Sequence, residues 1–337
     1  MTARKLKAGI IGLGVGESHI QGYNNHPACE VVALCDFNNE TLEVMKDKYP
    51  QMIFSSEAET IIMNPSIHIV SIASYDNYHY EQIIKAIDNN KHVFVEKPLC
   101  LYEEEARHIR SLLKEKPHLK MSSNLILRRS PRFRLLKQKI EAGEIGDLSY
   151  VEGDYNYGRI HKITEGWRGK IDYYSVVYGG AVHIVDLLLW LTQDEVIEVS
   201  ALGNNLATAN THYKYNDVVV SILRFKSGLI GKVTANFSCV YPHFHRLSIY
   251  GTKATFENGI DHACLYTSRD PQADPVIINS EYPGVHKGDL IASFVESIIN
   301  NTDAEITKDD IFKSMSVCFA IEKAVHQQPH PVTVNYI

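Results

Sequence analysis

The stretch Leu6-Lys7-Ala8-Gly9-Ile10-Ile11-Gly12-Leu13-Gly14-Val15-Gly16 reads as an apolar strand running into a glycine-rich turn. A helical pattern follows through Ile20 and Tyr23, then a second apolar run, Val31-Val32-Ala33-Leu34-Cys35, that ends in Asp36. Gly12 suits a tight turn. Gly14 lets the backbone approach a pyrophosphate at the helix N-terminus, where unpaired N–H groups and the helix dipole favour an anion. Asp36 stands 22 residues after Gly14, close to the spacing of an acid that binds an adenosine ribose. A lone glycine motif carries little weight, but strand, turn, helix, strand and acid in this order point to a dinucleotide-binding unit. One position departs from G-x-G-x-x-G: the third glycine falls on Glu17, and Gly16 comes one residue early. The turn is therefore expected to be one residue shorter, with a carboxylate that either points away along the helix or weakens anion binding.

Further along, Lys91-His92-Val93-Phe94-Val95-Glu96-Lys97-Pro98 sets the short apolar run of an inner parallel strand directly before a glutamate, a lysine and a proline. Carboxyl ends of strands line the ligand crevice of open α/β sheets. A lysine placed there is partly desolvated and shifted toward neutral pH, which suits proton transfer. Pro98 fixes its own φ and biases Lys97 toward an extended conformation. Alone, Lys97 reads more simply as a solvated loop lysine; the glycine turn and Asp36 shift the reading toward chemistry.

Up to residue 122, apolar strands near 6–12, 30–35, 67–73, 92–96 and 119–122 alternate with helical patterns such as Glu81 to Asn89, where Ile83, Ile84 and Ile87 share a face. This predicts an α/β first domain, residues 1–122, built on a doubly wound parallel sheet. From residue 147 the predicted strands lengthen and alternate: Leu148 to Tyr157, Val196 to Leu202, Asp217 to Phe225, Leu229 to Ser238, and Arg246 to Tyr250. Lys226-Ser227-Gly228 is a hairpin signal. Residues 123–337 are thus expected to form an α+β domain on a large, mostly antiparallel open sheet, with helices near 286–300 and 308–327 packing back across the chain. A sheet face left uncovered by helices is normally buried in an oligomer, so a homodimer or homotetramer is expected.

Composition narrows the classes. A chain of 337 residues suits two domains. Hydrophobic residues make up 45%, without the run of ~20 that a membrane span needs. Met1-Thr2-Ala3-Arg4-Lys5-Leu6-Lys7 enters the first strand without the apolar core of a signal peptide, and a cytoplasmic location is expected. A formal net charge of -6 offers no overall attraction to nucleic acid. The six cysteines lack C-x-x-C pairing and suit reduced thiols. In Tyr241-Pro242-His243-Phe244-His245 two histidines lie two apart, but no acid or cysteine stands at a telling spacing. No metal is expected, and a substrate-side loop or an oligomer edge is the preferred reading.

Two later segments carry chemistry. The helical pattern from Gly179 to Leu191 has core-like Val182, Val185, Leu188 and Leu189, while His183, Asp186 and Trp190 fall on another face. Without context, His183 is a histidine satisfied in a helix interface. The segment Tyr155 to Lys170 reads as a loop whose Tyr155, Tyr157 and Trp167 offer flat faces to a sugar ring, and whose Arg159, Lys162 and Arg168 suit a carboxylate or phosphate. A solvated basic loop or an oligomer contact is the plain alternative.

Taken together, the Gly12–Gly16 turn with its His19, Asp36, Ser74-Tyr75-Asp76-Asn77-Tyr78-His79, Glu96-Lys97-Pro98, Asn124, Gly179-Gly180-Ala181-Val182-His183-Ile184-Val185-Asp186 and Ile249-Tyr250-Gly251-Thr252-Lys253-Ala254 resemble the Gfo/Idh/MocA family in its own order. The resemblance implies a Rossmann unit followed by an α+β domain, and NAD(P)-dependent oxidoreduction of a sugar, cyclitol or sugar derivative. It implies that Gly12, Leu13, Gly14, Val15, Gly16, Asp36, Ser74, Tyr75, His79, Glu96 and Lys97 hold the cofactor. It further implies that Lys97 and His183 move the hydroxyl proton, and that Asn124 lies on the substrate or nicotinamide side. Family members often carry an aspartate four residues before the histidine, where this chain has Gly179; Asp172 and Asp186 are the candidates to replace it.

After Asp36 come Phe37, Asn38, Asn39 and Glu40, with no arginine or lysine to receive a 2′-phosphate, so NAD is expected over NADP. Two rival readings stay open. One is a redox-neutral enzyme that keeps NAD tightly bound while it drives elimination or glycosidic cleavage. The other is a non-catalytic protein that binds NAD or a sugar.

Overall fold

Six short strands rich in Ile, Val, Ala and Leu build a parallel sheet in the order β3-β2-β1-β4-β5-β6. They are β1 (Leu6–Ile11), β2 (Cys29–Cys35), β3 (Ile53–Ser55), β4 (Ile69–Ile72), β5 (His92–Val95) and β6 (Met121–Ser123). Helices cover both faces, so β4 is buried at every position and β5 at all but His92, as inner parallel strands are. The strand order reverses between β1 and β4, which creates a crevice at their carboxyl ends. The computed structural model describes residues 5–327 and 330–337.

The chain divides into two compact units, one of residues to Ile126 with His286–Phe312, the other of Leu127–Val285 with Lys313–Tyr336. The sequence reading divides the chain once, near residue 122; here the later segment rejoins the first unit. The reason is the helix Ile291–Asn300, whose Ile291, Phe294 and Val295 are buried. Phe294 meets Phe94 of β5 with ring centroids 5.6 Å apart.

In the second unit nine strands form one sheet in the order β14-β13-β12-β11-β7-β10-β9-β8-β15. These are β7 (Leu148–Asn156), β8 (Val196–Asn204), β9 (Val218–Phe225), β10 (Ile230–Asn236), β11 (Phe244–Gly251), β12 (Thr255–Asn258), β13 (Ala263–Tyr266), β14 (Val276–Ile278) and β15 (Val332–Thr333). Its pairings are antiparallel except β7 with β10. That parallel pair requires a crossover, which carries the helix Val182–Thr192. The expected hairpin joins β9 to β10, with Gly228 at φ 94°. Strands β3, β12, β13, β14 and β15 escape the sequence reading because two to four residues are too few to show a period of two.

Candidate active site

The glycine turn is built by close approach. Gly12 has φ 87°, and a Cβ there would lie 2.4 Å from the Ala73 carbonyl oxygen after β4. A residue with a side chain would be both strained and obstructed. The helix Leu13–Asn24 begins at once after Gly12. Gly16 packs on β1, where a Cβ would come 2.8 Å from Ile10. Glu17 points away, its carboxylate 2.7 Å from Lys48 Nζ, and so does not oppose an anion at the turn.

Asp36, nearly buried at the end of β2, accepts from Leu13 N at 2.7 Å and from Asn38 N at 2.9 Å. The acid is thereby locked to the glycine turn, with a second lone pair left on each oxygen. Phe37 meets Tyr75 edge to face at 5.3 Å beside it. Ser74 donates to Gln82 at 2.7 Å. His79 is wholly buried; its Nδ1 lies 2.7 Å from the Pro98 carbonyl oxygen and its Nε2 3.2 Å from that of Ser74. Its ring nitrogens serve the chain's own carbonyls, so it supports the loops after β4 and β5.

These residues suit a dinucleotide. A Cβ at Gly14 would meet nothing within 4 Å, so the turn is open on the side where first-turn N–H groups lack a helical partner. The adjacent carboxylate of Asp36 suits ribose hydroxyls.

At the end of β5 a buried network surrounds Glu96. His19 Nε2 lies 3.2 Å from Glu96 Oε1, and His19 Nδ1 lies 3.0 Å from Ser71 Oγ. Asn124 Nδ2 donates to the same Oε1 at 2.7 Å and to the Lys287 carbonyl at 2.9 Å. Burial pushes the Glu96 carboxyl up, but His19, the charge of Lys97 and the Asn124 amide outweigh it and hold it at about 2. Glu96 is therefore an anion beside half-buried Lys97, whose peptide to Pro98 is cis. Asn124 Oδ1 is buried and has no hydrogen-bond partner among the described residues, an acceptor suited to a hydroxyl or amide donor of a ligand.

The second unit contributes an aromatic wall. Alternate residues on a strand share a face, which sets Tyr155 beside Tyr157 with centroids 5.7 Å apart. Tyr155 also stacks on His183 at 6.0 Å and on Phe237 at 5.8 Å. His243 and His245, again two apart, both meet Tyr155 edge-on at 5.2 Å. His245 Nδ1 lies 2.7 Å from the Tyr282 hydroxyl. Burial, then the neighbouring His243, pushes its imidazole down to about 3, so it is neutral near pH 7.

The segment before His183 is a π-helical turn, Val177–Ala181, leading into the α-helix Val182–Thr192. π-turns of this kind occur frequently at functional sites. Its two glycines admit tyrosines: a Cβ at Gly179 would lie 2.0 Å from the Tyr174 hydroxyl, and one at Gly180 2.5 Å from the Tyr155 ring. A phenol thus fills the space beside Gly179. Asp186 is committed elsewhere, as a buried bidentate pair with Arg128 at 2.9 and 2.6 Å. Asp172 is exposed, and its carbonyl accepts from Tyr215. In the basic segment, Arg159 lies over Tyr157 at 5.4 Å and Arg168 over Trp167 at 4.6 Å.

The first unit thus gathers Gly12, Leu13, Gly14, Val15, Gly16 and Asp36 at one turn, with Glu96, Lys97 and Asn124 in one network. The second joins His183, Tyr157, Arg159, Trp167 and Arg168 through the aromatic wall. Tyr174 and Tyr282 are the wall residues that sequence reasoning missed, while the i, i+2 spacing of Tyr155 with Tyr157 and His243 with His245 puts each pair on one strand face. Among the described residues no group of three or more His, Cys, Asp or Glu is arranged to hold a metal ion.

Known proteins bear on this geometry. Residues 6–123 match the oxidoreductase family with an NAD-binding Rossmann fold, and residues 133–257 match the GFO/IDH/MocA C-terminal domain. The chain is similar to myo-inositol 2-dehydrogenase of Thermotoga maritima, 27% identical over 256 residues that cover 74% of this chain and 73% of that protein. It is likewise similar to the NAD(+)-dependent scyllo-inositol 2-dehydrogenase of Bacillus subtilis, 27% identical over 258 residues, 74% of this chain and 73% of that one. In fold it matches levoglucosan dehydrogenase in complex with NADH and levoglucosan, with a TM-score of 0.87 over 99% of this chain and 100% of that one, at 22% identity. With the glycine turn, Asp36 and the Glu96–Lys97 strand end in place, the chain belongs to the Gfo/Idh/MocA family of oxidoreductases, and NAD is its cofactor.

Proposed function

We propose that this protein is an NAD-dependent dehydrogenase that oxidises a CH–OH carbon of a sugar, cyclitol or related carbohydrate, or reduces the corresponding ketone. The observation that carries the reading is the buried Glu96 anion set against Lys97 at the carboxyl end of β5, in the unit that bears the glycine turn and Asp36. When bound, NAD supplies the hydride acceptor. The glycine turn would hold its pyrophosphate and Asp36 its adenosine ribose. Phe37 and Tyr75 would flank the base, and Asn124 Oδ1 would accept from a hydroxyl or amide. Lys97 would take the hydroxyl proton, its ammonium form favoured by Glu96 after each transfer. His183, on the second unit, would serve the same proton transfer, with Tyr155 and neutral His245 fixing its ring. The inositol and levoglucosan dehydrogenases it resembles support a polyhydroxylated substrate.

The test is a screen of free sugars, inositols, sugar acids and nucleotide-sugars with NAD. Accumulation of NADH with at least one of them, lost in Lys97→Ala, is the expected result. Turnover of a glycoside without NADH would favour the redox-neutral reading. No turnover of any kind would remove the enzymatic one.

We also propose assembly into a homodimer or homotetramer through the nine-stranded sheet. Val220 and Ile222 of β9, Ile197 and Leu202 of β8 and Ile230 of β10 are all exposed large apolar residues. Contiguous apolar surface of this kind marks an interaction face. Sedimentation should show an oligomer, and Ile222→Asp should shift it toward monomer.

A further inference from the structure

Resting on the proposed oxidation of a carbohydrate, we infer that the substrate carries an oxyanion, a carboxylate or a phosphate, which Arg159 and Arg168 read. The two guanidiniums are placed on the aromatic wall that bears His183. Arg159 lies 5.4 Å over the Tyr157 ring, and Arg168 lies 4.6 Å over Trp167 and 5.9 Å over Tyr174. Tyr174 and Tyr157 both meet Phe237, and Tyr155 stacks on Phe237 and on His183. The arginines therefore border one continuous aromatic surface that ends at the histidine.

Both charges reach the wall itself. Burial and then Tyr157 raise the Tyr155 hydroxyl above its usual range, while the fields of Arg168 and Arg159 oppose that rise. Two buried carboxylates of the second unit are matched elsewhere: Asp154 lies 3.1 Å from Lys232, and Asp186 pairs with Arg128. At Gly179, beside His183, the Tyr174 hydroxyl fills the space a side chain would take. Among the described residues Arg159 forms no ion pair. Two guanidiniums thus border the wall, and an oxyanion on the substrate would match them.

The placement suits recognition better than solvation. A guanidinium over an aromatic face keeps its planar fork of N–H donors directed past the ring edge, in the geometry that a carboxylate or phosphate matches with two hydrogen bonds. Lys162 and Lys170 of the same segment are exposed and have no ring contact of this kind among those found. A neutral cyclitol would offer neither fork an anion to match.

The experiment compares matched compounds with the full-length protein and NAD: D-glucose, D-glucuronate and D-glucose 6-phosphate, and the same three forms of D-galactose. At least one anionic member should exceed its neutral counterpart in kcat/KM by roughly 10-fold or more. The carboxylate and phosphate arms show which oxyanion is meant. Arg159→Gln and Arg168→Gln should each raise KM for the anionic sugar by roughly 10- to 100-fold, and by at least roughly 10-fold more than for the neutral one, with circular dichroism unchanged. Equal efficiency for neutral and anionic members, or arginine variants that leave the ratio unchanged, would overturn the inference while the dehydrogenase reading stands. If none of the compounds is turned over, calorimetry of the NADH-loaded protein with the same panel decides. Anion binding that both variants weaken supports the inference, and no binding, or binding indifferent to both arginines, overturns it.

Discussion

Single residues set the chemistry through what they touch. Asp36 holds the glycine turn by accepting from Leu13 N and Asn38 N, and its remaining lone pairs would suit the hydroxyls of a ribose. A 2′-phosphate would meet that carboxylate as a like charge. The intact protein should therefore bind NAD more tightly than NADP, and Asp36→Ala should narrow the gap; calorimetry that finds NADP the tighter ligand would contradict this. Lys97 and His183 make a sharper pair. As partners in one proton transfer, each alanine variant should lower kcat by roughly 10²–10⁴. The double variant should lose far less than the product of the two. If His183 only packs against Tyr155, its alanine variant will lose thermal stability and keep near-normal turnover at low temperature. The sequence made these candidates legible because each sits in a local motif. It could not show that Glu96 is held by His19 and Asn124, since those three come together from separate elements.

At the scale of elements, the π-helical turn Val177–Ala181 is the decisive piece of the second unit. It seats His183 while two glycines let Tyr174 and Tyr155 press against the backbone. A methyl at Gly179 would fall 2.0 Å from the Tyr174 hydroxyl, a contact that must be relieved by moving a buried ring. Gly179→Ala should cost about 1–3 kcal/mol, visible as a lowered Tm. Adding Tyr174→Phe, which removes the nearest atom, should restore part of the loss. No restoration would mean that the turn itself, and not the phenol, demands the glycine. The sequence suggested an ordinary helix from Gly179 and an aspartate missing from its first turn. The turn type and the replacing phenol follow from packing between residues five apart on the chain and the strand beneath them.

Across the whole chain, buried His245 and half-buried His92 oppose acid. Burial holds His245 at about 3 and His92 at about 4, against 6.5 for a free imidazole. As pH falls through 6.5 the unfolded chain takes up these protons, while the folded chain does not until pH approaches 4 and then 3. Stability is therefore full above pH 7 and falls steadily below 6.5. Glu96 acts in the same direction at lower pH, because its depressed carboxyl loses its contribution only as pH drops from 4.5 toward 2. His245 alone should lower stability by on the order of 2 kcal/mol between pH 7 and pH 5. Guanidinium denaturation at the two pH values should show that loss, and His245→Gln should flatten it. An unchanged pH slope in the variant would mean that His245 accepts its proton in the folded state.

What the sequence by itself determined is the cofactor half of this protein. Strand, turn, helix, strand and acid follow one another within 31 residues, from Leu6 to Asp36. The apolar run, Gly12 and Asp36 therefore dictate their geometry through local backbone constraints. The Glu96-Lys97 pair was legible for the same reason, lying directly after its own strand. Tertiary structure alone decided the rest. Tyr155, His183, Phe237, His245 and Tyr282 lie far apart along the chain, and only strand register and helix packing bring their rings together. Strand β7 likewise pairs with β10 and β11, which lie far from it along the chain. Such contacts form between distant segments, so no periodicity within either segment records them.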